Sequence, residues 1–145
     1  MRTLVFAACC VLTLPAYSSE EMLLGFWAGG DTYSESTYGV IQISRGRITW
    51  GPSSGQCVVA YSIEKEQLGT TFTDQIGRVY VTSPTSIFST YLLRRIGGNC
   101  ATNVGRFRFT FPQKTERRYL AMVEYDNTGK PIGWTHFFRR DVKPE

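Results

Sequence analysis

The sequence has 145 residues and a formal net charge of +4 at pH 7, with 42% hydrophobic and 19% charged residues. This mild basic excess is weaker than that of typical nucleic-acid-binding proteins, so we expect no nucleic-acid partner. A chain of this length fits one domain with a single hydrophobic core.

The first residues have the pattern of a secretory signal peptide. One basic residue, Arg2, precedes an apolar run over 4–14 that is too short to span a bilayer as a helix. Small residues up to Ser18 suit a signal peptidase. We therefore predict a cleaved leader at 1–18 and one domain at 19–145, exported to a periplasm or to the extracellular space. We expect no transmembrane segment in that domain.

A lipid anchor is the alternative interpretation of the leader, because Cys9 lies in a faint likeness of a lipobox. Only eight residues precede this cysteine. They leave almost no apolar segment to engage the translocon, so we favour the cleaved signal peptide.

Cleavage would leave two cysteines, Cys57 and Cys100, which are 43 positions apart. In an oxidising compartment such a pair favours a disulfide bond, and closing a loop of this length contributes about 4 kcal/mol in the chain-entropy model. Free thiols are the alternative. Because His136 is the only histidine, we expect neither a metal site nor a cofactor.

Alternation of apolar and polar residues dominates the rest of the chain, and helical periodicity is nearly absent. Strands are predicted, in chain order, from Gly25, at 38–44, at 47–51, from Cys57, from Arg78, from Ile87, at 106–111, at 118–125 and at 132–140. The polar stretch at 31–37 is predicted to be a flexible loop. The stretch at 63–69 is predicted to be a strand end or a turn.

The run "RFRFTF" shows the alternation most clearly. Phe107, Phe109 and Phe111 lie on one face of the predicted strand, whereas Arg106 and Arg108 lie on the other. Several such strands with hairpin-length connections predict an all-β fold. We expect a single antiparallel up-and-down β-barrel of about eight strands, because closing the sheet removes its exposed edges.

The two ends of the predicted domain resemble those of lipocalins and the wider calycin group. Gly25-Phe26-Trp27 resembles the G-x-W motif of their first strand, and Arg139 is similar in position to an arginine near their last strand. The resemblance implies that Trp27 closes one end of a barrel and that Arg139 stacks across its indole. Gly25 would then let two backbones approach closely.

The first functional hypothesis is a non-enzymatic binding protein whose lumen holds a small apolar or amphipathic ligand. Its lining would consist of aromatic and methionine side chains on predicted strands, namely Trp50, Tyr61, Phe88, Tyr91, Phe109, Met122 and Trp134. Because small barrels fill much of their interior with side chains, many of these residues would instead pack as core.

The alternative is a protein-interaction module, such as an inhibitor of a secreted hydrolase, that acts through loops or an arginine-rich face. The arginines assigned to that face are Arg106, Arg108, Arg117 and Arg118. If they point outward, they offer a stripe for an acidic protein, an envelope polysaccharide or a phosphate-bearing lipid; if inward, they line a polar lumen for an anion. We favour the outward arrangement, because burying unpaired guanidinium groups is costly.

We expect no catalytic activity. Asp31, Glu35 and His136 are the residues that an enzyme would use here, which makes such an enzyme the third hypothesis. His136, however, lies between aromatic residues, and the sequence around it contains no distinctive Ser or Cys nucleophile motif.

Overall fold

The computed structural model describes residues 20–69, 71–73, 79–81, 88–112 and 119–140. The predicted leader at 1–18, Arg117 and Arg118 lie outside the described residues. The strands are β1 (Gly25–Gly29), β2 (Val40–Ser44), β3 (Arg47–Trp50), β4 (Cys57–Gly69), β5 (Thr71–Thr73), β6 (Val79–Val81), β7 (Phe88–Gly98), β8 (Val104–Pro112), β9 (Tyr119–Asp126) and β10 (Pro131–Arg140). Two short α-helices, α1 (Glu20–Leu23) and α2 (Thr32–Thr37), and a 3₁₀ turn (Ser53–Gly55) complete the described elements.

Eight strands close into one antiparallel barrel, in the order β1-β10-β9-β8-β7-β4-β3-β2. Strands β5 and β6 pair with each other as a separate two-stranded sheet between β4 and β7 in the chain. The structure therefore confirms the predicted all-β fold and its single up-and-down barrel. None of the helices within the described ranges has the length and hydropathy needed to cross a membrane.

The barrel interior is built from the apolar half of each alternating strand. On β8, Phe107, Phe109 and Phe111 are buried, and the register pairs Phe109 with Tyr91 on β7 and with Met122 on β9. Because side chains alternate between the two faces of a strand, Arg106 and Arg108, which flank Phe107, point outward. This period of two is the physical reason why the sequence folds as half-buried strands.

One end of the barrel is closed by a tryptophan and an arginine. The Trp27 indole is buried and donates its Nε1 hydrogen to the carbonyl of Leu23 at 2.8 Å. The Arg139 guanidinium lies 5.1 Å from the centre of the indole and donates to the carbonyl of Leu24 at 2.5 Å. Gly25 has φ +126°, and a Cβ there would lie 2.7 Å from Arg139 Nη2, so only glycine leaves room for the guanidinium. This is the arrangement that the lipocalin resemblance implies.

A disulfide bond joins Cys57, the first residue of β4, to Cys100 in the loop between β7 and β8. The two Cα atoms are 5.4 Å apart, a separation typical of disulfides. The predicted pairing is therefore confirmed.

One prediction for a polar stretch was wrong and another was confirmed only in part. The stretch at 31–37 contains helix α2 instead of a flexible loop, because Asp31 and Ser34 form a reciprocal capping box at its start. The stretch at 63–69 is the second half of the long strand β4, which pairs with β7 from Val59 to Gly69, so it is a strand end and not a turn. The side chains of this stretch are mostly exposed. Its sequence therefore lacks the alternation of apolar and polar residues that identifies a half-buried strand.

Candidate functional site

Four of the predicted lumen residues belong to the packed interior. Tyr61, Tyr91, Phe109 and Met122 are each at most 4% exposed and lie in one core cluster. The Tyr91 hydroxyl donates to Glu66 Oε1 at 2.5 Å. These side chains fill the interior of the described barrel, as small barrels commonly require.

Two other predicted lumen residues, Trp134 and Phe88, lie on the outer face of the barrel. Trp134 is 36% exposed and lies on the outer face of β10, since its neighbour Thr135 is fully buried. Its predicted position in the lumen was therefore wrong. Phe88 is half-buried at the start of β7 and alternates with the buried Ser89, which places it on the outer face as well. Trp50, in contrast, lies on the inner face at the end of β3, because it pairs with the buried Ile41 and packs against the core, with its ring 5.2 Å from that of Tyr38.

A concave surface of about 420 Å³ lies on the outside of the barrel, across strands β4, β7 and β8, and extends to β9 and the turn before β10. We call it the cationic groove, and its lining residues are Lys65, Gln67, Thr90, Leu92, Arg106, Arg108, Tyr125 and Gly129. Three of these residues are cationic and none is acidic. Cross-strand pairing explains why the cationic residues Lys65 and Arg108 lie close together, because both are register partners of Leu92, one on each side of β7.

One carboxylate at the margin balances part of this positive charge. Arg106 Nε lies 2.7 Å from Glu64 Oε2, and Arg94 Nε lies 3.5 Å from the other carboxylate oxygen. The hydrogen bond from Arg106 and the charges of both arginines hold the pKa of Glu64 below its ordinary value. Arg108 lies 5.9 Å from the centre of the Tyr125 ring, so a flat aromatic face supports its guanidinium. The local charge nevertheless stays positive.

A second concavity, of about 500 Å³, lies on the opposite side of the barrel, and we call it the uncharged hollow. It is lined by Phe26, Tyr38, Gly39, Val40, Gln42, Thr49, Trp50, Gly51, Pro52, Ser53 and Gln56. These residues come from the turn between α2 and β2, from β1, β2 and β3, and from the loop after β3. No ionisable residue other than tyrosine is among them, so the hollow offers apolar contact and hydrogen bonds but no charge pairing.

Asp31 and His136, two members of the hypothetical catalytic set, come together. His136 Nδ1 lies 2.9 Å from Asp31 Oδ2, without the alignment of a hydrogen bond. The Asp31 carboxylate also accepts hydrogen bonds from the Ser34 amide at 2.8 Å and from the Thr135 hydroxyl at 2.7 Å. Glu35, the third member, is exposed on α2. The carboxylate thus acts as a helix cap that ties α2 to β10.

The pKa of Asp31 reflects this role. Partial burial acts to raise the pKa, but hydrogen bonds from Ser34, Thr135 and His136 outweigh the burial and hold it below its ordinary value. The ionised form is therefore the one that the fold stabilises. These contacts account for Asp31 as a structural residue.

Sequence reasoning missed one buried carboxylate. Glu124 on β9 is 4% exposed and accepts hydrogen bonds from the hydroxyls of Tyr33, at 3.1 Å, and Tyr38. A Cβ on Gly133 of β10 would lie 2.0 Å from Glu124 Oε2, so glycine makes room for the carboxylate. Burial and the negative charge of Glu124 raise the pKa of Tyr38, which keeps it a donor. The period of two was the available signal, because Glu124 shares a face with Leu120 and Met122.

Within the ranges that the structure describes, no cluster of three or more His, Cys, Asp or Glu side chains is placed to hold a metal ion. No protein-family model matches the chain, and no curated protein or solved structure matches it either. The chemistry of the described surfaces therefore has to support any functional conclusion.

Proposed function

We propose that this chain is an exported, non-enzymatic binding protein that holds an anionic partner in the cationic groove. The observation that carries the proposal is the convergence of Lys65, Arg106 and Arg108 on one concave surface that no acidic residue lines. Guanidinium groups pair with carboxylate, sulfate or phosphate in two-point contacts, and a concave wall strengthens such contacts by partly excluding water.

The other residues of the groove define the partner further. Leu92 and Tyr125 offer apolar area, whereas Gln67 and Thr90 offer hydrogen-bonding groups. A partner with negative charges spaced along a partly apolar, hydroxylated or amide-bearing chain would use all of these groups. A single small anion would use only the arginines.

Packing in the interior favours this surface over a ligand in the lumen. The inward-facing side chains of β7, β8 and β9 are buried against one another, including Tyr91, Phe109 and Met122. A ligand of the size that small-molecule sites hold, about 300 Å³ or more, would have to displace several of them. The lumen hypothesis thus requires a rearrangement of the core that binding in the groove does not.

Export is the second part of the proposal. The pattern of the first 18 residues is that of a signal peptide. The disulfide between Cys57 and Cys100 supports export, because such bonds persist in oxidising compartments. The closed barrel with Arg139 over Trp27 supports kinship with lipocalin-like barrels, which are binding proteins in the family that the sequence resembles.

The experiment compares neutral substitutions on opposite sides of the barrel. We expect Arg106→Gln combined with Arg108→Gln to weaken binding of dextran sulfate, measured by calorimetry at low salt, by about tenfold or more, because two charge-assisted contacts are lost. Arg47→Gln, on the exposed start of β3, is the matched control and should leave binding unchanged.

Circular dichroism and thermal melting would verify that both variants fold. Equal losses in the groove variant and in the control would mean that the probe follows net charge alone, which would contradict the proposal. Retained binding in the groove variant would contradict it too. Binding should also weaken steeply with added salt, because the contacts are between charges.

A further inference from the structure

A second exposed surface borders the cationic groove on the same side of the barrel. We call it the aromatic patch, and it consists of Tyr119, Trp134, His136 and Phe138 on the outer face of β9 and β10. The ring of His136 lies 5.4 Å from that of Tyr119 and 5.5 Å from that of Phe138. Trp134 is 36% exposed and Phe138 is 49% exposed. Clustered exposed aromatic rings are unusual on a soluble surface and mark interaction sites.

The patch and the groove lie on one continuous strip of sheet. Trp134 pairs with Val123, Val123 pairs with Arg108, and beyond Arg108 the same row continues to Leu92 and Lys65. The row crosses five strands, so about 19 Å separates its ends at the usual spacing between strands. Arg108 stands in the middle, between the aromatic rings and the remaining cations.

The next row of paired residues across the same strands carries small side chains in its middle, between β10 and β7. His136 pairs with Ala121, and Ala121 pairs with Thr110, which pairs with Thr90 on β7. Ala121 and Thr110 are small and buried, so the larger side chains around them are the ones that a ligand would contact. A ligand that runs across the strands therefore meets flat rings first and cations next.

We infer that the anionic partner is an acidic oligosaccharide that crosses the strands, with a sugar ring on the aromatic patch and its acidic groups in the cationic groove. This inference rests on the proposed function and names the class of its partner. The flat C–H face of a pyranose packs on an aromatic ring, and uronate or sulfate groups pair with guanidinium. The hydroxyl of Thr90 and the side-chain amide of Gln67 can form hydrogen bonds with the hydroxyls of a sugar.

An acidic polypeptide is the competing partner, and it makes a different demand on the surface. Its carboxylates would pair with Arg106 and Arg108, but an extended acidic chain has no flat apolar ring face to place on Trp134. Substitutions in the aromatic patch should therefore distinguish an acidic oligosaccharide from an acidic polypeptide, whereas substitutions in the cationic groove should weaken the binding of both.

The test measures two probes, tetragalacturonate and poly-L-glutamate, by calorimetry. We expect Trp134→Ala combined with Phe138→Ala to weaken tetragalacturonate binding about tenfold while leaving poly-L-glutamate binding unchanged. Trp134→Phe, which keeps a flat ring, should retain most of the tetragalacturonate affinity. Ile96→Ala, which removes an exposed apolar side chain outside both surfaces, is the control for lost apolar area.

Each outcome bears on one of the two proposals. Equal effects on both probes, or no effect on tetragalacturonate, would overturn the inference and leave the cationic groove as the site. If the variant at Arg106 and Arg108 also binds both probes normally, then the proposed function fails as well. A shift in tryptophan emission on addition of tetragalacturonate that Trp134→Phe abolishes would support contact at the patch.

Discussion

The cationic groove and the uncharged hollow are concavities of similar volume on opposite sides of one barrel, about 420 and 500 Å³. They differ in charge. Lys65, Arg106 and Arg108 converge on the groove, whereas the hollow is lined by aromatic, amide and small side chains. Concave shape alone therefore does not identify the binding site of this protein, and the choice between the two rests on which chemical groups face outward.

The difference arises from the outward half of each strand pattern. On β8 the residues that alternate with the buried phenylalanines are Arg106, Arg108 and Thr110, and on β2 the residues beside the buried isoleucines are Val40 and Gln42. Both strands alternate with a period of two, so both build the core equally well. Packing of the core requires an apolar residue only at every second position of a strand. The residues in between face outward, so their type can be set by binding instead of by folding.

The largest expected effect concerns the core beneath the groove. Phe109→Ala removes a fully buried ring and should lower the free energy of unfolding by about 3–5 kcal/mol, as measured by urea denaturation. Phe26→Ala, at the half-buried margin of the hollow, should cost less. Variants that remain folded should bind dextran sulfate normally, because Phe109 faces inward; a selective loss of binding would count against a site on the outer face.

An intermediate effect concerns the helix at the margin of the hollow. Asp31→Asn keeps an oxygen that can cap α2 but replaces Oδ2, which accepts hydrogen bonds from the Thr135 hydroxyl and the His136 amide, with an NH2 donor. We therefore expect a loss of about 1 kcal/mol in the free energy of unfolding at neutral pH. Because the pKa of Asp31 is below its ordinary value, its stabilisation is present above the unfolded pKa of about 3.9 and is lost as the pH falls through the folded pKa.

Denaturation of the Asp31→Asn variant and of the unaltered chain should therefore converge on acidification. Binding in the groove should not change, since Asp31 contacts α2 and β10 only through the cap and its ties to Thr135 and His136. A difference in stability that grows toward low pH would show that the neutral acid is the favoured form and that the assigned cap is mistaken.

The smallest expected effect concerns the charge balance of the groove itself. Glu64→Gln removes the carboxylate that pairs with Arg106 and Arg94, so the affinity for dextran sulfate should rise about two- to threefold. Because Arg106 lowers the pKa of Glu64, the unaltered chain should gain affinity only when the pH falls below the ordinary range of a glutamate. Glu35→Gln, on α2, is the control. Unchanged or weaker binding in the Glu64 variant would argue that Arg106 does not contact the anion.

Much of the fold could be predicted from the sequence, because a barrel imposes the same period of two on every strand. The outward position of Arg106 and Arg108 followed from that period, because both alternate with the phenylalanines at 107, 109 and 111. The position of Trp134 did not, because "GWTHFF" has aromatic residues on both faces and periodicity cannot say which face is inside.

Helix α2 was missed and the strand at 63–69 was predicted only in part, and both have similarly local causes. Helix α2 has six residues, too few for a helical period to emerge, and it depends on the contacts that cap it. The stretch at 63–69 forms part of β4 through backbone pairing with β7, although its side chains stay exposed. Neither feature leaves an amphipathic pattern in the sequence.

The central claim is that the outward face of β4, β7 and β8, and not the interior or the hollow, receives the anionic partner. Amide chemical-shift mapping during titration of the isotope-labelled chain with tetragalacturonate tests it most directly. We expect the largest shifts at Lys65, Leu92, Arg106, Arg108 and Tyr125, with little change at Gln42, Thr49 and Trp50. Shifts confined to the residues of the hollow, or spread through the buried core, would contradict the account.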